Sequence, residues 1–220
     1  MDEKIENNEK LINNLEKANK LFFSKNYINN SNNESWKLVR LEECVDISRG
    51  ASPRPIQEYL ANDGMPWVKI SDATETDSNF ISKTHEFIIK SGISKSRTVT
   101  KGMLIVSNSA TPALTRIMNI TACVHDGWLI LDNFSLLSKE IVKYIIDFNK
   151  KELISSGNGS VFTNLKTEIL KSLQVKIPPQ PIMDKITDRL KFNLNMQLQL
   201  TEENKKLNKL KQLYLKKFFG

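Results

Sequence analysis

Apolar and polar positions follow three different patterns along this chain, and the pattern changes twice. Over 1–25, Ile5, Asn8, Ile12, Leu15, Asn19 and Phe22 recur on alternating three- and four-residue steps, with no Pro or Gly between them. That spacing is the a/d seam of a coiled coil and predicts a helix. Residues 26–35, NYINNSNNES, are too polar to pack and rich in turn formers, so they read as a linker.

Over 36–178 the pattern shortens. Apolar runs at 37–41, 67–70, 103–106 and 128–131 are bounded by turn signals and predict strands. Helical stretches are expected at 55–61 and 138–149, the second carrying the stripe Ile141, Tyr144, Ile145 and Phe148. Short strands and helices without a βαβ rhythm predict one globular domain of the α+β class. Pro178 and Pro179 then mark a boundary, because proline ends a ladder and pushes its predecessor out of helical space.

From 179 to 220 the chain predicts one long helix. About 38 residues without a breaker would extend ~55–60 Å. Ile186, Leu190, Leu200, Leu207, Tyr214 and Phe218 lie on one seam, interrupted by Asn193, Gln197 and Asn204. Polar residues at seam positions cost stability and fix register and partner. The stripe is too narrow and too long for a globule of this size to cover, so the seam, with Ile12 and Leu15 of the first helix, is expected to pair with helices of a second copy. A repeat joins the two ends: Asn8, Lys10, Leu11, Lys20, Phe22 and Phe23 recur in order and spacing as Asn204, Lys206, Leu207, Lys216, Phe218 and Phe219. Two related helical segments bracketing one globule would explain it, and so would chance similarity of two Lys/Asn/Leu-rich helices.

Composition adds little to fold and something to function. A 40% hydrophobic share supports a real core. The formal net charge of +7 and pI near 9.3 suit a phosphate-binding surface without requiring one. Cys44 and Cys123 stand far apart in no metal-ligand or disulfide pattern, and read as reduced thiols near a core. Trp67 and Trp128 read as core anchors. The charged N-terminus lacks a signal-peptide core and no apolar run spans a bilayer, so a cytoplasmic, non-membrane protein is expected. No catalytic residues and no metal site are expected. His85 and His125 have no second ligand at metal spacing, and His125-Asp126 has no nucleophile beside it. Phosphate-loop, dinucleotide-fingerprint and nucleophile-elbow motifs are absent, as are the Pro-Pro-Tyr signatures of amino-group DNA methyltransferases.

An ordered set of segments carries a resemblance. Trp36-Lys-Leu-Val-Arg-Leu leads into Ser48-Arg-Gly-Ala-Ser-Pro-Arg-Pro-Ile, followed by Gly64-Met-Pro-Trp-Val-Lys-Ile-Ser-Asp72. Then come Ser107-Asn-Ser-Ala-Thr-Pro, Cys123-Val-His-Asp-Gly-Trp128 and Gly157-Asn-Gly-Ser-Val-Phe-Thr-Asn-Leu165. Val175-Lys-Ile-Pro-Pro179 opens the last helix, which ends Tyr-Leu-Lys-Lys-Phe-Phe-Gly220. In this order they resemble the target-recognition domain and spacer helix of the specificity subunit of type I restriction–modification enzymes.

The resemblance implies a non-catalytic subunit whose recognition domain reads one half of a split site in double-stranded DNA. Its long helices would dock methyltransferase subunits, which bind S-adenosylmethionine, and a separate motor–nuclease subunit would cut. This chain itself would bind no cofactor. A full specificity subunit carries two recognition domains, so this sequence resembles a half-length form, whether natural or a fragment. A homodimer would then read a bipartite palindrome. The alternative is an assembly protein or silent half-subunit that binds partners without selecting DNA. Residue chemistry suited to phosphates and base edges lies in turn-rich segments. The candidates are Arg49 and Arg54, flanking a Gly/Ser/Pro loop; Lys69 and Ser71, at the end of a strand-like run; Asn108, Ser109, Thr111 and Arg116, read as a second polar loop; and Asn158, Ser160, Thr163 and Asn164, read as a third.

Overall fold

The computed structural model describes residues 1–30, 32–155 and 164–219. The chain forms two compact units, one of Ser35–Ile177 and one built from Met1–Glu34 with Pro178–Gly220.

The chain opens with α1 (Asp2–Asn26). The Ser35–Ile177 unit then runs through β1 (Lys37–Arg40), β2 (Asp46–Arg49), β3 (Leu60–Ala61), β4 (Met65–Val68), α2 (Ile70–Thr74), β5 (Phe80–Ile81), β6 (Glu86–Ile88) and α3 (Lys90–Ile93). It continues with β7 (Arg97–Val99), β8 (Leu104–Ser107), β9 (Thr115–Met118), β10 (Ala122–Val124), β11 (Trp128–Asp132), α4 (Lys139–Phe148), α5 (Lys150–Ser155), α6 (Thr167–Lys171) and β12 (Gln174–Ile177). The last helix is α7 (Gln180–Phe219).

Among the described residues the strands form two five-stranded sheets, ordered β3-β6-β4-β10-β7 and β2-β11-β8-β9-β5, and a ribbon of β1 with β12. The pairs β4–β10 and β5–β9 are parallel and the others antiparallel. The ribbon sets Lys37 opposite Ile177, so the first and last strands of the globule lie side by side.

Strand alternation places the core. On β4 and β10, Val68 and Val124 join a buried cluster with Ile105, Met118, Trp128 and Ile130, residues of the second sheet. Their neighbours Trp67 and Cys123 pack with Ile88 in a separate buried cluster. This sheet therefore carries apolar packing on both faces, which is why its strands read as continuous apolar runs. Both cysteines are buried free thiols, and burial, with Glu43 adding to it, pushes Cys44 up to about 11. Ser138 caps α4 through its side chain, which accepts from the Ile141 N–H. The stripe expected there is buried at Ile141, Tyr144 and Ile145, while Phe148 is exposed.

Two local expectations change. The helix read over 55–61 is one 3-10 turn, Ile56–Glu58, followed by β3, whose Leu60 pairs with Ile88. Pairing with a distant strand outweighs a marginal local propensity. The strand read over 67–70 ends at Val68, because the Asp72 carboxylate accepts the Lys69 N–H at 2.7 Å and starts α2.

In the other unit α1 and α7 lie antiparallel. Asp2 receives a hydrogen bond from Lys211, Asn8 donates to Asn204 at 2.7 Å, and Asn193 donates to Asn19 at 2.7 Å, so the partner number falls as the first rises. Gln197 and Glu16 meet between them. Asn8, Asn19, Asn193, Gln197 and Asn204 are all buried. The polar seam positions of one helix are thus matched by those of the other.

From Asn193 to Lys211 the seam meets α1 of the same chain. Ile12, Leu15, Leu200 and Leu207 are half-buried within that stretch. Ile186 and Leu190, before it, are fully buried. Tyr214 and Phe218, beyond the Asp2–Lys211 contact, are 51% and 65% exposed, with Leu210, Leu213 and Leu215 exposed near them. A local period states that a helix needs a partner; chain connectivity decides whose it is. Among the described residues no helix is long and apolar enough to cross a membrane.

Candidate nucleic-acid interface

The turn between β10 and β11, His125-Asp126-Gly127, organises the candidate site. The Gly127 N–H donates to His125 Nδ1 at 2.8 Å, and the Trp128 N–H donates to the His125 carbonyl at 3.1 Å. A Cβ at Gly127 would stand 2.1 Å from His125 Cε1, so only glycine permits this bond. A Cβ at Gly50 would stand 2.2 Å from the His125 carbonyl oxygen, so the 50–54 loop can press against the turn only with glycine there.

Asp126 then gathers side chains from three segments. Its carbonyl accepts from Arg49 Nε at 2.7 Å and from Asn108 Nδ2 at 3.0 Å. Its carboxylate accepts from the Ser52 hydroxyl at 2.8 Å and from Arg54 Nη2 at 3.0 Å. Burial pushes this carboxyl upward, but the Ser52 hydrogen bond and the Arg54 charge outweigh it, leaving Asp126 below its ordinary value. Burial is the largest cause for His125 and lowers it; the Asp126 charge opposes without reversing the effect. A neutral imidazole that accepts at Nδ1 carries its proton on Nε2.

A cleft of about 770 Å³ opens beside the turn, lined among others by Arg54, Gln57, Trp67, Lys69, Glu86 and His125. Its volume falls in the range of small-molecule pockets, so its chemistry has to distinguish what it takes. Lys69 donates to Glu86 at 2.6 Å across it. The Trp67 ring lies 6.2 Å from the His125 ring, so the tryptophan expected purely as a core anchor also floors the cleft.

The structure thus brings Arg49, Arg54 and Lys69 to one place. Ser71 is exposed on α2, where its carbonyl accepts from the Glu75 N–H. Asn108 is 5% exposed and braces the Asp126 turn; Ser109 and Thr111 form a half-buried turn after it. Asn164 is exposed, and the next residue, Leu165, donates its N–H to the Asn108 carbonyl at 2.7 Å. Asn158, Ser160 and Thr163 lie outside the described residues.

Arg116 departs from its expected loop. It sits in β9 and is 9% exposed, with Nη2 donating to the Ala73 and Thr76 carbonyls at 2.7 and 3.0 Å and Nη1 to the Thr115 carbonyl. A cation is satisfied there because carbonyls at the end of a short helix have no intrahelical partner.

Asp126 and Ser52 are not among the residues the sequence puts forward for DNA contact; the signal there is a polar His-Asp-Gly turn between two apolar runs. Among the described residues no group of three or more His, Cys, Asp or Glu could hold a metal ion.

Residues 33–212 match the family model of the type I restriction modification DNA specificity domain. Solved structures share the fold. The S subunit of a type I restriction–modification system from M. genitalium aligns with a TM-score of 0.66 at 16% identity, over 100% of this chain and 57% of that one. The HsdS subunit from Thermoanaerobacter tengcongensis aligns with 0.62 at 18% identity, over 96% and 52%. A chain from a study of complex assembly and conformational transition of the type I R-M system gives 0.63 at 18%, over 96% and 53%. This chain therefore spans about half the length of the subunits it matches.

Proposed function

Since the chain belongs to the type I restriction modification DNA specificity domain family, we propose that it selects a duplex DNA sequence for a partner methyltransferase and does no chemistry itself. The observation that carries this is the reach of the family match, which takes in the whole globule and most of α7. In this reading the Arg49–Arg54 loop and Lys69 face the DNA. The helical unit docks methyltransferase subunits, which bring S-adenosylmethionine, and the motor–nuclease subunit joins the full complex. The site of action is the cytoplasm.

One recognition domain reads too few base pairs to single out a genomic site. A second copy of the chain supplies the other half, giving a two-fold arrangement and a palindromic split site. In this reading the second copy packs on apolar side chains that the α1–α7 pair leaves exposed, Tyr214 and Phe218 among them.

The test is methylome sequencing of a host expressing this chain with its methyltransferase partner. A symmetric, split, modified motif that disappears when Arg49 and Arg54 become Ala supports the reading. Partner binding without any modified motif would instead mark a silent half-subunit. Arg116 is unsuited to this test, because its guanidinium is buried and braces the carbonyls of Ala73 and Thr76.

A further inference from the structure

Both carboxylates that line the cleft are engaged by donors of the protein itself. Each carboxylate oxygen of Asp126 is taken, one by Ser52 and one by Arg54. Glu86 Oε1 is taken by Lys69. Among the groups the rim still offers are N–H donors. Arg54 commits Nη2 to Asp126, and its side chain is 77% exposed, which leaves the rest of its fork to solvent. His125 accepts at Nδ1 and so presents a proton at Nε2. Gln57, also on the rim, can serve either way.

We infer that Arg54, held in place by Asp126, reads a guanine through its major-groove edge. The inference rests on the DNA-recognition reading above and names the base. In the major groove guanine offers two neighbouring acceptors, N7 and O6; adenine and cytosine each present a donor there, and thymine one acceptor beside a methyl group. A fork with only N–H to give matches the first and meets a donor or a single acceptor on the others. Asp126 is a positioning residue. An exposed arginine spends side-chain entropy when it binds, and one already fixed by a carboxylate spends less. The Ser52 hydroxyl fixes the carboxylate in turn. Phosphate oxygens offer the same pair of acceptors, so the experiment separates the two sources.

The experiment uses the complex of this chain with its methyltransferase partner. The motif methylated in the host defines the half-site. Each of its base pairs is replaced in turn, and the duplexes compete for the complex in fluorescence anisotropy. Arg54→Lys keeps the charge and loses the fork. Asp126→Asn keeps the shape and loses the charge, while the Arg49 and Asn108 bonds, made to its backbone carbonyl, are untouched.

The expected result is one guanine at which wild type discriminates by roughly tenfold or more. Both variants reduce that preference to within about twofold while the other positions and the salt dependence hold. If Arg54 holds a phosphate instead, Arg54→Lys binds nearly as wild type and Asp126→Asn shifts all duplexes alike; either result overturns the guanine contact. Discrimination unchanged in both variants overturns it as well. A wild-type complex that prefers no duplex overturns the DNA-recognition reading itself, and this contact with it. Arg54 is exposed, so its variant melts as wild type and separates lost reading from lost folding.

Discussion

Replacing Arg116 by Ala should unfold the globule more readily and leave base preference intact in whatever remains folded. The side chain makes three bonds to backbone carbonyls, of which those to Ala73 and Thr76 cross from β9 to the end of α2 and the segment after it. A buried acceptor stripped of its donor costs ~1–3 kcal/mol. Ala73 is fully buried, so we take ~2 kcal/mol there. Thr76 is half-buried and water can reach it, so we take ~1 kcal/mol. The sum, about 3 kcal/mol, is a large share of the ~5–15 kcal/mol that holds an ordinary domain together. For a unit of about 140 residues, it corresponds to a fall in melting temperature of ~10 °C. Thermal unfolding followed by circular dichroism reads this directly, with Arg54→Ala as the contrast: at 77% exposure, that change should move the melting temperature by no more than ~2 °C. An Arg116→Ala protein that melts with wild type yet loses base discrimination would refute the reasoning, because the guanidinium would then be reading DNA and not bracing α2.

Three further outcomes follow from the same structure. Changing Asn19 and Asn193 together to Leu should raise the stability of the helix pair while loosening its register, seen as new cross-links between engineered cysteines one turn out of step; a unique register in the double variant would show that these layers do not set it. His125 is held neutral, its value lowered chiefly by burial, so the unfolded chain binds its proton first. The stability this gives is fully present above the ordinary histidine value of 6.5 and is lost as pH falls from there towards the lowered value. Urea unfolding at about pH 7.5 and 5.5 should show the loss in wild type and a smaller one in His125→Gln; equal losses would remove His125 as the cause. Tyr214→Asp with Phe218→Asp should shift a dimer to monomer in sedimentation without lowering the melting temperature, whereas Leu200→Asp should loosen the α1–α7 pair within one chain; unchanged mass in the first variant would defeat assembly through the end of α7.

The amino-acid sequence was sufficient for whatever depends on neighbours along the chain. An unbroken seam period fixed a helix at each end, and the asparagines and the glutamine on that seam were visible as register-setting positions before any partner was known. Short apolar runs between turn formers marked several strands, and an ordered set of segments pointed to the family. Tertiary structure decided what depends on residues far apart. Arg49 and Arg54 meet Asp126 across 77 and 72 positions of sequence, and no local period encodes that meeting. Arg116 looked like a reader because a charged side chain in a polar stretch is usually solvated; the carbonyls of Ala73 and Thr76, some 40 residues earlier, make its burial affordable. The helices announced their need for a partner, and contacts across 196 and 174 positions of sequence, which no local period encodes, put that partner in the same chain.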